Sequence, residues 1–585
     1  MYKASIATVV LALTLSAAVA MAGDQTISTN TVWSGTVTVD GTVTVNSNAN
    51  LTIQPGTIVN FVGTGNIAFS SAGMFSAQGT AAAPIQFNGT QTGALSGNPT
   101  GVAMSNCVVA NVGTSSTKWL NLNPRTSSLG FSMNSCTVSG CGYLVTDGSG
   151  PVNITNCNMQ NNQEMDPWNN NNAKITIDNN KIQGSMIWTQ SYSGSVEVGH
   201  NVLIDCTIWA KGSSIDNTVV MDNYIHVLAA TRMYGILYTN GQIYNNVVRG
   251  TTFNIANCGG HIYNNVTEAL THNEGVTRGD GTHESVCAFP SNTLVERNIF
   301  LNTCNSATTM TGGTNIGTGC VFRNNTFDMR GVVGTNATAP VWFNHLTTAT
   351  PTDGMNVRNN LFLRTGRIYD QMSIPDSASY LDYNCWAGRV TDGWTGSNPT
   401  SARFVGVVMT GKVEGDDGFG MHDVTLPTLA AGFNPASLVA NANFVDPYSD
   451  ADMLAGTYTN AQLLALYQQA YTPVAGSALI NAGSPTDASD PAVTYGQVDI
   501  GAVEVALLPG DTDMDRKVTF ADYIVLERNF GSTSATWAMG DFNGDGKVTF
   551  ADYIILEGGF GKSVPEPMSL SLLAAGAVAL LRRKR

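Results

Sequence analysis

The 585-residue chain reads as a mostly β protein: a solenoid of stacked parallel strands, with a small helical module near its end. Three observations carry that reading. A short Asn-centred motif recurs at a period near 22 residues between Cys107 and Asn384, the mark of a repeat architecture. Only 12% of residues are charged and 61 are glycine, a composition that favours strands and turns over helices. The segment VTFADYIVLERNFG at Val518 returns as VTFADYIILEGGFG at Val548, with its apolar residues on helical spacing. The length exceeds what one compact core holds, so one long domain with small ones attached is expected.

The N-terminus, MYKASIATVVLALTLSAAVAMAG, has an early lysine, Lys3, an apolar run and Ala20-Met21-Ala22 before Gly23. It resembles a Sec-type signal peptide over 1–22, too short for a membrane span, and implies export. The chain carries a formal charge of −15, more negative still without Lys3 and the terminal basic cluster. That balance argues against nucleic-acid binding, which needs excess Lys and Arg.

From Gly23 to about Val505 the chain reads as the β domain. The run TVWSGTVTVDGTVTVNSNANLTIQPGTIVNF alternates apolar and polar residues with turn signals between, as first coils or a capping strand pair would. Asp40-Gly41 taken alone signals a hairpin. The recurring motif follows, in forms such as ITNCNM, IYNNVV and FRNNTF. Its anchor positions are Cys107, Cys136, Cys157, Asn180, Asn201 and Asn223, then Asn246, Asn265, Asn298, Asn325, Asn360 and Asn384. Short β-rich repeats without intervening helices fit a parallel β-helix, each coil advancing about 4.8 Å. Stacked Asn side chains at one turn would pair with backbone groups above and below. The anchor cysteines fit a stack of buried thiols better than a metal site. Together with AQGTAAAPIQF and SALINAGSPTDASDPAVTYGQVDIGAVE, this domain resembles right-handed parallel β-helix proteins, which include polysaccharide lyases, glycoside hydrolases and adhesins. The ladder fades after Arg389, and NAQLLALYQQAY reads as a short helix packed on the solenoid end.

Chemistry in such a fold is expected on loops of enlarged coils. The richest cluster is EALTHNEGVTRGDGTHESVCAF, with Glu268, His272, Glu274, Arg278, Asp280, His283 and Glu284. Glu274, Arg278, Asp280 and His283 are the candidate catalytic set, able to supply acid/base chemistry to a glycosidic bond or to steady a uronate. A weaker group is Glu414, Asp416, Asp417, His422 and Asp423. Trp168, Trp188, Trp209 and Trp342 are candidate sugar platforms, with packing the default role of each.

The duplicated segments end two twelve-residue loops, DTDMDRKVTFAD and DFNGDGKVTFAD. Side-chain oxygens stand at positions 1, 3 and 5 (Asp511, Asp513, Asp515; Asp541, Asn543, Asp545), a main-chain carbonyl at 7 (Lys517; Lys547), a hydroxyl at 9 (Thr519; Thr549) and a carboxylate at 12 (Asp522; Asp552). Calcium takes six to eight hard oxygens in such loops. Each following helix has an apolar face, Tyr523, Leu526, Phe530 and Tyr553, Leu556, Phe560, that the other would bury. Aspartate at position 12 and one helix per loop resemble a dockerin domain over 509–562. The resemblance implies two Ca²⁺ sites and a cohesin-like partner. Arg516 replaces glycine at position 6 of the first loop, which implies a weaker site, and Phe520-Ala521 and Phe550-Ala551 replace the family's hydroxyl-rich recognition pairs.

The tail 564–585, VPEPMSLSLLAAGAVALLRRKR, is similar to a PEP-CTERM sorting signal. It implies an exosortase-type processing enzyme, only transient contact with the membrane, and delivery to the cell envelope, cell surface or extracellular matrix. The sequence thus predicts an exported protein that recognises, and in one form cleaves, extracellular polysaccharide. The alternative is a non-catalytic adhesive or structural β-helix.

Overall fold

The computed structural model describes residues 19–563 apart from 22, 72, 126–128, 170, 229–233, 251–252, 270–285, 288–291, 302–318, 329–340, 343–355, 364–367, 370–379, 388–403, 406–423, 427–430, 434–447, 475, 488–497, 506–507 and 514–516. The chain divides into two compact units, 1–203 with 210–213, and 204–209 with 214–585.

In the first unit each coil contributes one strand to each of three parallel sheets. Val152–Thr155, Asn158–Gln160 and Met165–Asn169 make one coil, and Ile175–Asp178, Lys181–Gln183 and Met186–Ser191 the next. In-register pairing puts like residues over one another. Val109, Val138, Met159 and Ile182 stack inward in the first sheet; Leu120, Leu144, Met165 and Ile187 do so in the second. All are buried. The period-2 pattern of a strand therefore fills a continuous core from short segments that could not bury a face singly. Asp40-Gly41 joins Thr36–Val39 to Thr42–Val45, which lie in different sheets. The dipeptide is a coil corner, not a hairpin, and the first-coil reading of the N-terminal run holds.

The turn motif has a backbone cause. The residue before each anchor has positive φ: Asn156 (56°), Asn179 (54°), Asn264 (54°), Asn324 (54°). Asn tolerates this left-handed conformation better than most residues. The anchor itself is buried and fully bonded. Asn265 Oδ1 accepts from the backbone N and from Nδ2 of Asn246 (3.0 and 2.9 Å), and Asn265 Nδ2 donates to the carbonyls of Ile243 and Tyr263 (2.8 and 3.0 Å). Asn298, Asn325 and Asn360 repeat this pattern. The cysteine anchors are buried free thiols, and the N–H of Cys136 donates to Cys157 Sγ at 3.4 Å.

In the second unit both faces of the first sheet are buried. Ile225, Val248, Phe300, Phe327 and Phe362 point inward, yet their neighbours Tyr224, Val247, Arg249, Glu268, Leu301 and Asp328 are covered too. Helices α1 (Asp450–Ala455) and α2 (Asn460–Ala470) lie against this outer face. Asp450 bonds Tyr224 and His226 (both 2.8 Å). Tyr467 donates to Glu268 (3.1 Å), and Tyr471 to Asp328 (2.6 Å). The expected end cap is therefore corrected: α2 flanks the coils rather than closing them, because its buried tyrosines find carboxylates on the sheet face. The segment after α2 packs on the turns of Asn324 and Asn359 through Asp499, Ser484 and Asp487. Among the described residues no helix is long and apolar enough to cross a membrane.

Candidate metal centre

Near the C-terminus two loops lead into helices α3 (Phe520–Asn529) and α4 (Phe550–Gly559). Thr519 and Thr549 are the N-caps, and each forms a capping box with the aspartate three residues on, which satisfies amide donors that a helix start leaves orphaned. Position 12 of each loop is thus the third residue of a helix. Asp522 Oδ2 accepts from Thr519 N (2.8 Å), while its Oδ1 accepts from the N–H and hydroxyl of Thr512 (both 2.8 Å). Asp552 does the same with Thr549 N (2.8 Å) and with the amides of Phe542 and Asn543 (2.9 and 3.1 Å). One carboxylate therefore ties the beginning of its loop to the beginning of its helix. The threonine hydroxyls at position 9 cap the two helices in this geometry.

The loops are held in pairs. Lys517 bridges Ser563 and Lys547 bridges Thr533, both antiparallel, so each loop pairs with the chain leaving the other helix. Trp537 Nε1 donates to the carbonyl of Asp511 (2.6 Å). Between them lies a core of Val518, Leu526, Trp537, Phe542, Val548 and Leu556, with Tyr523 and Tyr553 packed edge to face at 6.2 Å. Phe530 and Phe560, expected in the buried faces, are 54% and 53% exposed. They follow the last helical residue, where the 3.6 period no longer governs direction, and the expectation is corrected.

In the first loop the carboxylate oxygens of Asp511, Asp513 and Asp522 lie within 4.8 Å of one another, with Asp511 and Asp522 buried. Burial works to raise the Asp522 pKa, but the amides of Thr519 and Thr512 outweigh it and hold the carboxyl below its usual value. In the second loop Asp541 accepts from the amides of Asp545 and Gly546 (3.2 and 2.8 Å), and Asn543 and Asp545 accept from Asp545 and Lys547 (both 2.9 Å). Burial, with the nearby Asp552 charge, pushes Asp541 up. Gly546 has φ 79°, the conformation that position 6 needs and that favours glycine. In the first loop, partly buried carboxylates drawn this close together are a donor set for a hard divalent cation. The residues present therefore fit calcium: Asp511, Asp513 and Asp522 could hold it in the first loop, with Asp541, Asn543, Asp545 and Asp552 the corresponding side chains of the second and the Lys517 and Lys547 carbonyls available at position 7. Asp515 and Arg516 lie outside the described residues. The contributions of Thr512 and Trp537 were not legible in sequence, since both act through contacts that only the folded loop creates.

The candidate catalytic residues Glu274, Arg278, Asp280 and His283, with His272 and Glu284, lie outside the described residues, as do Glu414, Asp416, Asp417, His422 and Asp423. Glu268, the first residue of that cluster, is buried under Tyr467 and paired with Arg249 Nε at 3.1 Å. Trp188 is exposed on the first unit.

Residues 509–558 match the family described as the dockerin type I domain. No curated protein matches the chain.

Proposed function

We propose that the chain is an exported surface or extracellular protein that recognises polysaccharide through its β-solenoid and attaches to a cohesin-type partner through a calcium-ordered dockerin. The observation that carries the docking half is the pair of position-12 aspartates, each tying an acid-lined loop to a helix N-terminus. A cation at these loops would neutralise the clustered carboxylates and fix the orientation of α3 and α4. Phe520 and Phe550, 64% and 63% exposed, stand at equivalent positions on the two helices and offer an apolar contact in place of hydroxyls. The test is binding of the full chain to immobilised cohesins with calcium or with chelator. Capture in calcium, lost in chelator and lost in a D522A/D552A double variant, supports docking; equal capture of that variant refutes it.

The polysaccharide half rests on the parallel solenoid and on the company that dockerins keep. Cleavage would fall to Glu274, Arg278, Asp280 and His283; release of reducing ends from a polysaccharide panel, abolished by D280A and H283A, is its signature. The covering of the first sheet by α2, with Glu268 already bonded beneath it, favours the second reading, a non-catalytic adhesive β-helix. Loss of the 1–22 signal peptide on export, and processing of the 564–585 tail by an exosortase-type enzyme, are both checked by the intact mass of the protein recovered from the cell surface.

A further inference from the structure

Three successive coils of the first unit, through Tyr143–Gly148, Met165–Asn169 and Met186–Ser191, present an outward face that combines aromatic rings with carboxylates. Strand alternation sends Met165, Pro167 and Asn169 inward, and so sends Asp166 and Trp168 out, with Glu164 just before them on the same side. Register places Trp168 between Asp147 and Gln190. Trp168 meets Tyr192 edge to face at 6.3 Å. Trp188 and Tyr192 are 38% and 52% exposed. Beyond the strand ends opens a cleft of about 390 Å³ lined by Ser149, Asn171, Asn172, Ala173 and Ser193. On the strand itself, Trp168 Nε1 and Asp166 Oδ1 are buried without a hydrogen-bond partner.

We infer that this face is a binding platform for a neutral polysaccharide, with Trp188 and Tyr192 stacking on sugar rings and the cleft's amides and hydroxyls bonding their hydroxyl groups. The inference rests on the polysaccharide reading above and names its site and its substrate class. Sugar rings present apolar C–H faces and polar edges, which aromatic faces beside Ser and Asn complement. Charge selects among glycans. Glu164, Asp166 and Asp147 crowd the platform, Lys118 is the cation that faces Asp166, and a uronic-acid polymer would meet like charge.

The carboxyl pair does not make the platform a hydrolase. Glu164 and Asp166 are close enough to share a hydrogen bond, and burial followed by the Glu164 charge pushes Asp166 up to about 7. Retaining and inverting glycosidases hold their carboxyls about 5 Å and about 6.5–9.5 Å apart. A pair in contact leaves no room for the glycosidic oxygen or for a water.

The test is affinity electrophoresis of the full chain through gels containing soluble neutral glycans (mixed-linkage β-glucan, xylan, galactomannan) or uronic ones (alginate, polygalacturonate). W188A and Y192A are compared with Y238A, which removes an exposed tyrosine of the other unit, after thermal unfolding shows each variant folded. Retention of the parent by a neutral glycan, weakened at least tenfold by W188A and Y192A, largely restored by W188F and untouched by Y238A, is the expected result. Undiminished retention of W188A and Y192A overturns the platform and leaves polysaccharide recognition standing. Retention by uronic polymers alone overturns the neutral class. No retention of the parent anywhere overturns both.

Discussion

Each Asn of the ladder spends its amide on groups that the turn would otherwise bury unpaired. Asn298 donates to the carbonyls of Ile262 and Glu296 and accepts from the backbone of Asn265. Asn298→Ala is expected to cost about 1–3 kcal/mol for each group so orphaned, seen as faster hydrogen exchange in the two neighbouring coils while distant coils keep their protection. The anchor was legible because it repeats; the left-handed residue before it was not, since Asn, Ser, His, Arg and Tyr all fill it (Ser135, His200, Arg297, Tyr383), and identity there is set by backbone rather than by chemistry. The same backbone demand governs the calcium loops. Gly546 sits at φ 79°, and Arg516 holds the equivalent position of the first loop. On the proposed two-site reading, Arg516→Gly is expected to tighten calcium binding at the first loop severalfold without changing the second, read by calorimetric titration. Glu164 and Asp166 were invisible as a pair because an i, i+2 spacing acquires meaning only once the strand is known to face outward.

Helix α2 shows which properties of an element are local. Its capping box, Thr459 with Gln462, and its run of good helix formers were readable. Its resting place was not, because the bonds that fix it join Asn460 to Asn245, Tyr467 to Glu268 and Tyr471 to Asp328, partners far apart in sequence. The sheet through Gly259–Tyr263, Leu294–Glu296 and Val321–Arg323 carries a second long-range device. Glu296 lies between His261 (2.7 Å) and Arg323 (2.6 Å), and Arg323 and Arg358 both reach Asp487, which ties the closing segment to the coils. Burial opposes ionisation of Glu296, but the His261 hydrogen bond and the Arg323 charge win and bring its pKa from the usual 4.5 down to about 2. A carboxyl depressed in the folded state contributes stability that is complete above the unfolded pKa and is lost as pH falls through the folded one. Unfolding followed between pH 5 and pH 2 is expected to show a loss of about 1–3 kcal/mol from this group, and Glu296→Gln is expected to flatten the profile across that window while lowering stability at pH 7.

At the scale of the molecule the solenoid and the two-loop module are stabilised by different means. The coils add core with each repeat, so their stability is spread over many similar interfaces. Among its described residues the module has six buried apolar side chains in its core and several carboxylates drawn close together, and domains this small usually need a metal, disulfides or a partner to stay folded. None of its residues is a cysteine. That leaves a metal or a partner, and the acid-lined loops point to calcium, whose binding to the folded state would stabilise it by about 2.7 kcal/mol at a hundredfold excess over Kd. Chelation is therefore expected to raise amide exchange throughout 509–562 by tenfold or more and to leave the coil strands of 130–199 unchanged. Asp552→Ala should reproduce much of that effect even with calcium present, because it removes the cation donor and the tie from Phe542 and Asn543 to α4 together. If protection across the module is the same with calcium and with chelator, the six-residue core suffices unaided and the acid-lined loops must be explained some other way.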